Sequence, residues 1–155
     1  SGNNDIVVLM IPPFEKFGLL PPGIHWTEWD EFAAAFGITP GRQRLLAGLR
    51  MAIDNLAAAG CSAVYIDGSF VTRKAEPNDY DACWSSIGVD PEKLDTVLLD
   101  FSSGRSAQKA RFGGELLIAE APADLEGKTF LDYFQHEVRR DVVRRKGIIG
   151  IRIGV

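Results

Sequence analysis

Residues 66–84, IDGSFVTRKAEPNDYDACW, decide the fold, because a polar connection within them joins two short apolar runs. The first run covers residues 63–66 and leads into Gly68-Ser69, and the second covers residues 80–84. Short runs of β-branched and aromatic residues, bounded by Gly, Pro and Asn, are typical of β-strands. The stretch therefore predicts two strands with a structured turn between them.

Two carboxylates, Asp79 and Asp81, lie two residues apart in the second predicted strand. Because side chains alternate along a strand, both project from one side, about 7 Å apart along the backbone. Adjacent like charges on an apolar strand are unfavourable unless a cation neutralises them or one pKa rises. Hard oxygen ligands at this spacing suit Mg²⁺ or Mn²⁺. The alternative is a turn after Pro77-Asn78 whose acidic side chains are solvated.

Gly68 and Ser69 follow the first predicted strand directly. Glycine lets the backbone come close to a ligand, and the Ser69 amide and hydroxyl can donate to a phosphate oxygen. Arg73 and Lys74 follow, with charges that suit the remaining phosphate groups. For these two cations the alternative is an exposed polar connection.

The order of these features resembles the signature of the DNA polymerase β-like nucleotidyltransferase superfamily: a strand, Gly68-Ser69, nine residues, then Asp79-Tyr80-Asp81. The resemblance implies that the Gly-Ser turn holds a nucleoside triphosphate and that Asp79 and Asp81 hold two metal ions. Further stretches, GCSAVYIDGSFVT and FGGELL among them, are similar to small bacterial nucleotidyltransferase-like proteins. That similarity implies a toxin–antitoxin or phage-defence setting.

The superfamily resemblance also implies a third carboxylate on a later strand. Glu115, 34 residues past Asp81 in a predicted strand, is the favoured candidate, although the family's usual residue is Asp. Asp100, 19 residues past Asp81 at the end of a predicted helix, is the alternative. In the superfamily this third group acts as base toward the attacking hydroxyl, and the metals take the charge of the triphosphate.

Apolar periodicity predicts the other elements. Strands are predicted at residues 6–11, 112–118 and 148–153, and helices at residues 28–36, 41–59 and 130–143, with another helix beginning at Asp90-Pro91. We predict one α/β (α+β) domain, residues 1–155, in which helices pack on a mixed β-sheet. Residues 1–40 would form an N-terminal extension of strand, loop and short helix, and residues 41–155 the core.

The composition fits one folded domain: the chain has 155 residues, of which 46% are hydrophobic and 25% charged. The net charge of -4 is divided unevenly, because residues 128–155 contain seven Lys or Arg and three Asp or Glu. An acidic body argues against a protein that coats nucleic acid. The basic run at residues 139–146 would stabilise the end of the last helix, or bind RNA or an acidic partner.

Cys61 and Cys83 are too few for a disulfide framework and are predicted to be buried thiols. No apolar run approaches the ~18–20 residues that cross a bilayer, and no signal peptide precedes the chain. We therefore expect a cytoplasmic protein with no membrane partner.

These expectations combine into Mg²⁺-dependent transfer of a nucleoside monophosphate from a triphosphate to an acceptor hydroxyl. A chain of this length has little room for a domain that binds the acceptor, so we expect the acceptor to be a separate protein or RNA. A cognate toxin or antitoxin is a further possible partner that the resemblance implies. The alternative is a catalytically inactive module that keeps the fold as a binding or regulatory partner.

Overall fold

The computed structural model describes residues 11–139 and 141–154, and the predicted strand at residues 6–11 lies outside this range except for Ile11. The strands are β1 (Gly23–Thr27), β2 (Ala63–Asp67), β3 (Tyr80–Trp84), β4 (Gly114–Ile118), β5 (His136–Arg139), β6 (Val142–Arg145) and β7 (Gly147–Arg152). The helices are α1 (Trp29–Phe36), α2 (Pro40–Ala58), α3 (Ser106–Phe112) and α4 (Phe130–Phe134). Short 3₁₀ turns lie at Lys16–Gly18, Ser69–Val71, Pro91–Lys93, Thr96–Leu99 and Ser103–Arg105.

A mixed five-stranded sheet forms the centre of the molecule, with strand order β1-β7-β2-β3-β4. β1 pairs with β7, and β3 with β4, in parallel; β2 is antiparallel to both of its neighbours. This confirms the prediction of a mixed sheet with helices in one small α+β domain. β1 and α1, which precede residue 41, add an edge strand and the buried Phe32 to the same sheet and core.

Helix α2 covers one face of the sheet and confirms the helix predicted at residues 41–59 within one residue. It begins at Pro40 because the Thr39 side chain accepts a hydrogen bond from the Arg42 backbone NH, and proline suits the first helical position. Its buried residues recur at intervals of three and four. Leu49 and Leu56 are among them. They pack with residues from α1, α3 and the sheet: Phe32, Phe112, Val64, Ile66, Ala82 and Leu116.

The opposite face carries a smaller apolar cluster beneath α4. Alternate strand residues point there, so that Tyr65, Cys83, Leu117 and Ile148 pack with Phe134. Cys83 lies in this cluster and Cys61 in the main one, both as buried free thiols, which confirms the prediction for the cysteines. In the part of the chain that the structure describes, every helix is too short or too polar to cross a membrane.

The helix predicted at residues 130–143 is wrong beyond α4, which ends at Phe134. The chain continues as a hairpin of β5 and β6, with Asp141 at φ 62° between them. The apolar spacing suited a helix, but the β-branched valines of this segment also favour strands. Arg139 lies in β5 and Arg144 and Arg145 lie in β6, so these residues of the basic run cannot stabilise a helix end.

Two other predictions need correction. The helix predicted to begin at Asp90-Pro91 is instead two 3₁₀ turns. The side chains of Asp90 and Asp95 each accept a hydrogen bond from the backbone NH two residues later, and each begins a separate turn. The predicted strand at residues 112–118 begins only at Gly114, since Phe112 ends α3, which was not predicted. The loop predicted at residues 12–24 gives way to β1 at Gly23, and the strand predicted at residues 148–153 is confirmed as β7.

Replacing Leu49 by Ala should lower the free energy of unfolding by about 2–5 kcal/mol, because this fully buried side chain fills the core between α2 and the sheet. Chemical denaturation measures the change. Met51, half-exposed on the same helix, provides the control, and Met51→Ala should change the free energy by no more than about 0.5 kcal/mol. Equal effects of the two substitutions would contradict this packing.

Candidate functional site

Three carboxylates lie side by side on adjacent strands. Asp67, the last residue of β2, pairs with Asp81 in β3, and Asp81 pairs with Glu115 in β4. Residues directly opposite each other share a face, and neighbouring strands are about 4.8 Å apart. The three side chains therefore form a row, called here the carboxylate row, which continues the face of Tyr65, Cys83 and Leu117.

Asp79 lies next to this row but one residue before β3, and so outside the strand in which it was predicted. Its charge contributes to the electrostatics of Asp81. Burial, followed by the neighbouring charges of Glu115, Asp79 and Asp67 in that order, raises the pKa of Asp81 to about 6. Burial also raises the pKa of Asp67. Four carboxylates thus converge on one small region.

Cations face the two ends of the row. The Lys146 Nζ lies 2.8 Å from Asp67 Oδ1, and both side chains are almost buried. At the other end, Glu115 Oε1 lies 3.0 Å from Arg105 Nη2 and 3.2 Å from Lys109 Nζ. Among the described residues, no cation lies within ion-pair distance of Asp81 at the centre.

The predicted Gly-Ser turn lies directly against the row. Gly68 has φ 81°, and a Cβ placed there would lie 2.5 Å from Asp81 Oδ2, so only glycine fits. Ser69 begins a 3₁₀ turn, and its carbonyl accepts a hydrogen bond of 2.7 Å from the Thr72 hydroxyl. The structure therefore brings Gly68, Ser69, Asp81 and Glu115 together, as the sequence predicted.

Arg42 holds the connection that follows the turn. Its buried guanidinium donates to the carbonyls of Phe70 at 2.6 Å and of Thr72 at 3.1 Å, and also to that of Lys74. It also donates to the carbonyl of Phe36 in α1 at 3.2 Å. Burial lowers the pKa of this guanidinium. One side chain of α2 thus fixes the backbone from residue 70 to residue 74.

Other predicted residues lie apart from the row. Arg73 and Lys74 are exposed, and the Arg73 guanidinium stacks over the Phe14 ring at 5.6 Å. Asp100 is partly exposed, and hydrogen bonds from the Ser102 hydroxyl and backbone NH lower its pKa. None of the three lines the cleft beside the carboxylate row.

That cleft has a volume of about 400 Å³, within the usual ~300–1,000 Å³ of ligand sites. The carboxylate row and Arg105 form one wall, and the aromatic residues of α4 form the other: Phe130, Tyr133 and Phe134. The apolar wall excludes water from one side of the carboxylates. A ligand bound here would meet oxygen ligands, cations and an aromatic surface.

Sequence reasoning missed four residues of the site. Asp67, Arg105 and Lys109 were not among the predicted site residues, and Lys146 was considered only as part of the basic run at residues 139–146. Asp67 could have been recognised from its place immediately before Gly68, at the end of a strand. The three cations reach the row from α3, from the turn before it and from the end of the hairpin, and no local spacing signals that convergence.

Oxygen ligands suit Mg²⁺, but the side chains are turned toward the cations. Among the described residues, no three Asp, Glu, His or Cys side chains are grouped closely enough to ligate one ion together. The ion pairs of Asp67 and Glu115 account for this, because each draws its carboxylate toward a neighbouring cation.

A family model matches residues 12–152, which include every residue of the site, and its description is a family of unknown function, DUF6932. The chain belongs to DUF6932. Comparison with curated proteins found no match, and comparison with solved structures found none. The chemistry of this DUF6932 chain must therefore be inferred from the site itself.

Replacing Arg42 by Ala should lower the free energy of unfolding by about 2 kcal/mol or more, because it leaves buried carbonyls without donors. Denaturant titration measures the loss. Arg44 is exposed on the same helix, and Arg44→Ala serves as the matched control, with an expected change near zero. A small effect of Arg42→Ala would show that the connection does not depend on this side chain.

Replacing Asp81 by Asn should raise the melting temperature at pH 8. Because the folded pKa of about 6 exceeds the ~3.9 of an unfolded aspartate, ionisation of Asp81 opposes folding above about pH 6. The gain should shrink as the pH falls below about 6 and disappear below about pH 3, where Asp81 is protonated in both states. Scanning calorimetry of both proteins across this range measures it. Equal melting temperatures at pH 8 would contradict the electrostatics described above.

Proposed function

We propose that this protein has a nucleotidyltransferase-like fold and is a metal-dependent nucleotidyltransferase. It moves a nucleoside monophosphate from a nucleoside triphosphate to a hydroxyl group of a protein or RNA acceptor. The observation that carries the proposal is the register of β2, β3 and β4, which aligns Asp67, Asp81 and Glu115 beside the Gly68-Ser69 turn.

The residues fit a divalent metal by their chemistry. Carboxylate oxygens are the ligands that Mg²⁺ and Mn²⁺ prefer, and among the described residues the ion pairs of the row involve Asp67 and Glu115 but not Asp81. Asp79, Asp81 and Glu115 would hold the metal. When bound, a metal supplies charge neutralisation to the triphosphate and activates the attacking hydroxyl.

The chain's own groups then have separate tasks. The backbone of Gly68, which has no side chain to obstruct a phosphate, and the amide and hydroxyl of Ser69 bind the phosphate groups. The acceptor oxygen attacks the α-phosphorus, the bond to the bridging oxygen of the β-phosphate breaks, and pyrophosphate leaves. Glu115 accepts the proton of the acceptor hydroxyl. Phe130 and Phe134 exclude water from this side of the cleft.

One observation favours a second candidate, a non-catalytic binding or regulatory module. Lys146, Arg105 and Lys109 already neutralise the outer carboxylates, as they would in a fold that no longer holds metal. In this second proposal the cleft still binds a ligand but transfers nothing.

The proposed acceptor and setting rest on the sequence resemblance alone. A bacterial toxin–antitoxin or phage-defence pair would supply the cognate partner, and the protein would act in the cytoplasm. The cleft carries no group that selects one base, so the proposal covers nucleoside triphosphates as a class.

Calorimetric titration with each of the four nucleoside triphosphates tests the proposal. Binding that requires Mg²⁺ and is abolished in the double variant Asp79→Ala, Asp81→Ala is the expected result, because the variant removes the central metal ligands. Asp100→Ala is the matched control, since this partly exposed carboxylate lies outside the cleft, and it should bind as wild type does.

Transfer is then measured by incubating the protein with each labelled triphosphate and cell extract. Label on protein or RNA, lost in the double variant, supports the enzyme. Mg²⁺-dependent binding with no transfer from any of the four nucleotides would favour the non-catalytic module. Failure of the intact protein to bind any triphosphate would overturn the nucleotidyltransferase.

A further inference from the structure

The charges around the carboxylate row are unequal at its two ends. Lys146 and Asp67 form a pair of one cation and one carboxylate. At the other end, Arg105 and Lys109 both contact the same oxygen of Glu115, so that two cations face one carboxylate. At the β4 end of the row, the cations therefore exceed the carboxylates they contact by one positive charge.

Both of these cations are accessible to a ligand. The Arg105 side chain is 36% exposed and that of Lys109 45%, and Arg105 lines the cleft. The Arg105 Nε is buried and has no hydrogen-bond partner among the described residues, whereas Nη2 contacts Glu115 Oε1. A guanidinium holds its donors in a planar fork, so its Nη groups can meet oxygens of a phosphate.

The backbone before α3 holds Arg105 in an unusual conformation. Ser103, Gly104 and Arg105 adopt φ values of 51°, 63° and 59° in succession, all in the left-handed region. Two of these residues are not glycine, and such backbone persists only where the surrounding structure imposes it. Strain of this kind is concentrated at ligand-binding sites, and Arg105 lines the cleft.

We propose that Arg105 and Lys109 bind the phosphate groups of the nucleotide substrate, and that Glu115 holds them in position until the substrate arrives. The inference rests on the proposed function, because it identifies the phosphate-binding cations of that reaction. They take the role that the sequence predicted for Arg73 and Lys74, which are not among the ion-pair partners of the carboxylate row in the described residues.

A consequence concerns Glu115 itself. When phosphate oxygens draw Arg105 and Lys109 away, the carboxylate loses both ion pairs and becomes available as a metal ligand and base. Binding of the correct anion would thus release the group that the reaction needs. Without the anion, Glu115 stays neutralised.

The test uses the full-length protein and pyrophosphate, which is the leaving group of the proposed reaction. Isothermal titration is run once with Mg²⁺ and once with a chelator, on wild type, Arg105→Ala, Arg105→Lys and Lys109→Ala. We expect Arg105→Ala to weaken pyrophosphate binding at least tenfold under both conditions. Arg105→Lys keeps the positive charge but not the planar fork, so it should lose less affinity for pyrophosphate than Arg105→Ala does. The melting curve of this variant checks that it folds.

Arg111→Ala is the matched control, because Arg111 lies on the same helix but pairs with Asp95 at 2.6 Å. It should bind pyrophosphate within about twofold of wild type. If Arg105 only neutralises Glu115, Arg105→Ala would instead leave pyrophosphate binding unchanged and strengthen binding of Mg²⁺ alone, since it frees the carboxylate. That result would overturn the inference.

The two proposals fail separately. If wild type binds pyrophosphate through Arg105 but transfers no nucleotide, the proposed phosphate site stands and the proposed transferase activity is overturned. If Arg105→Ala transfers nucleotide with an unchanged KM for the triphosphate, the transferase activity stands and the phosphate site is overturned.

Discussion

A slip of one residue between β3 and its neighbours would carry Asp81 to the face covered by helices and bring Tyr80 and Ala82 out of the core. The correct register is fixed because Tyr80, Ala82 and Trp84 are all completely or almost completely buried on the helix-covered face. The hydroxyl of Tyr80 adds a hydrogen bond of 2.8 Å to the carbonyl of Phe112. Packing on one face of the sheet therefore determines which carboxylates meet on the other, and the site depends on the core.

The connection after β2 depends on the same core. Arg42 emerges from α2 and reaches through the packed layer to the carbonyls of residues 70–74, with its guanidinium over the Phe70 ring at 4.9 Å. A buried cation is costly unless its donors are used, and here backbone carbonyls, not a carboxylate, use them. No carboxylate of the site is therefore needed to hold this connection. It also orders the backbone that follows Gly68, so the Gly-Ser turn keeps a fixed position against Asp81.

Local patterns were sufficient for β2, β3, α2 and the turn at Gly68, because burial, capping and glycine conformation are properties of short segments. They failed for residues 135–143, where the same apolar spacing suits a helix and a hairpin, and valines and the turn at Asp141 decide for strands. The position of Glu115 opposite Asp81 was expected only from a family resemblance, since pairing between β3 and β4 is a property of the whole sheet. Arg105, Lys109 and Lys146 were missed for that reason: they come from different elements, and only the tertiary structure brings them to the row.

The net charge of the chain describes the site poorly, because charges of both signs alternate over a few ångströms there. A free cation entering the cleft would meet Asp81 but also Arg105, and a free anion would meet Arg105 but also Asp67, Asp81 and Glu115. Each alone is attracted to one part of the site and repelled by another. A complex of a divalent metal with a polyphosphate carries both signs, and its metal suits Asp81 while its oxygens suit the guanidinium group. Under the proposed function, this charge pattern would favour the metal–polyphosphate complex over either component, which is the selectivity that the proposed reaction requires.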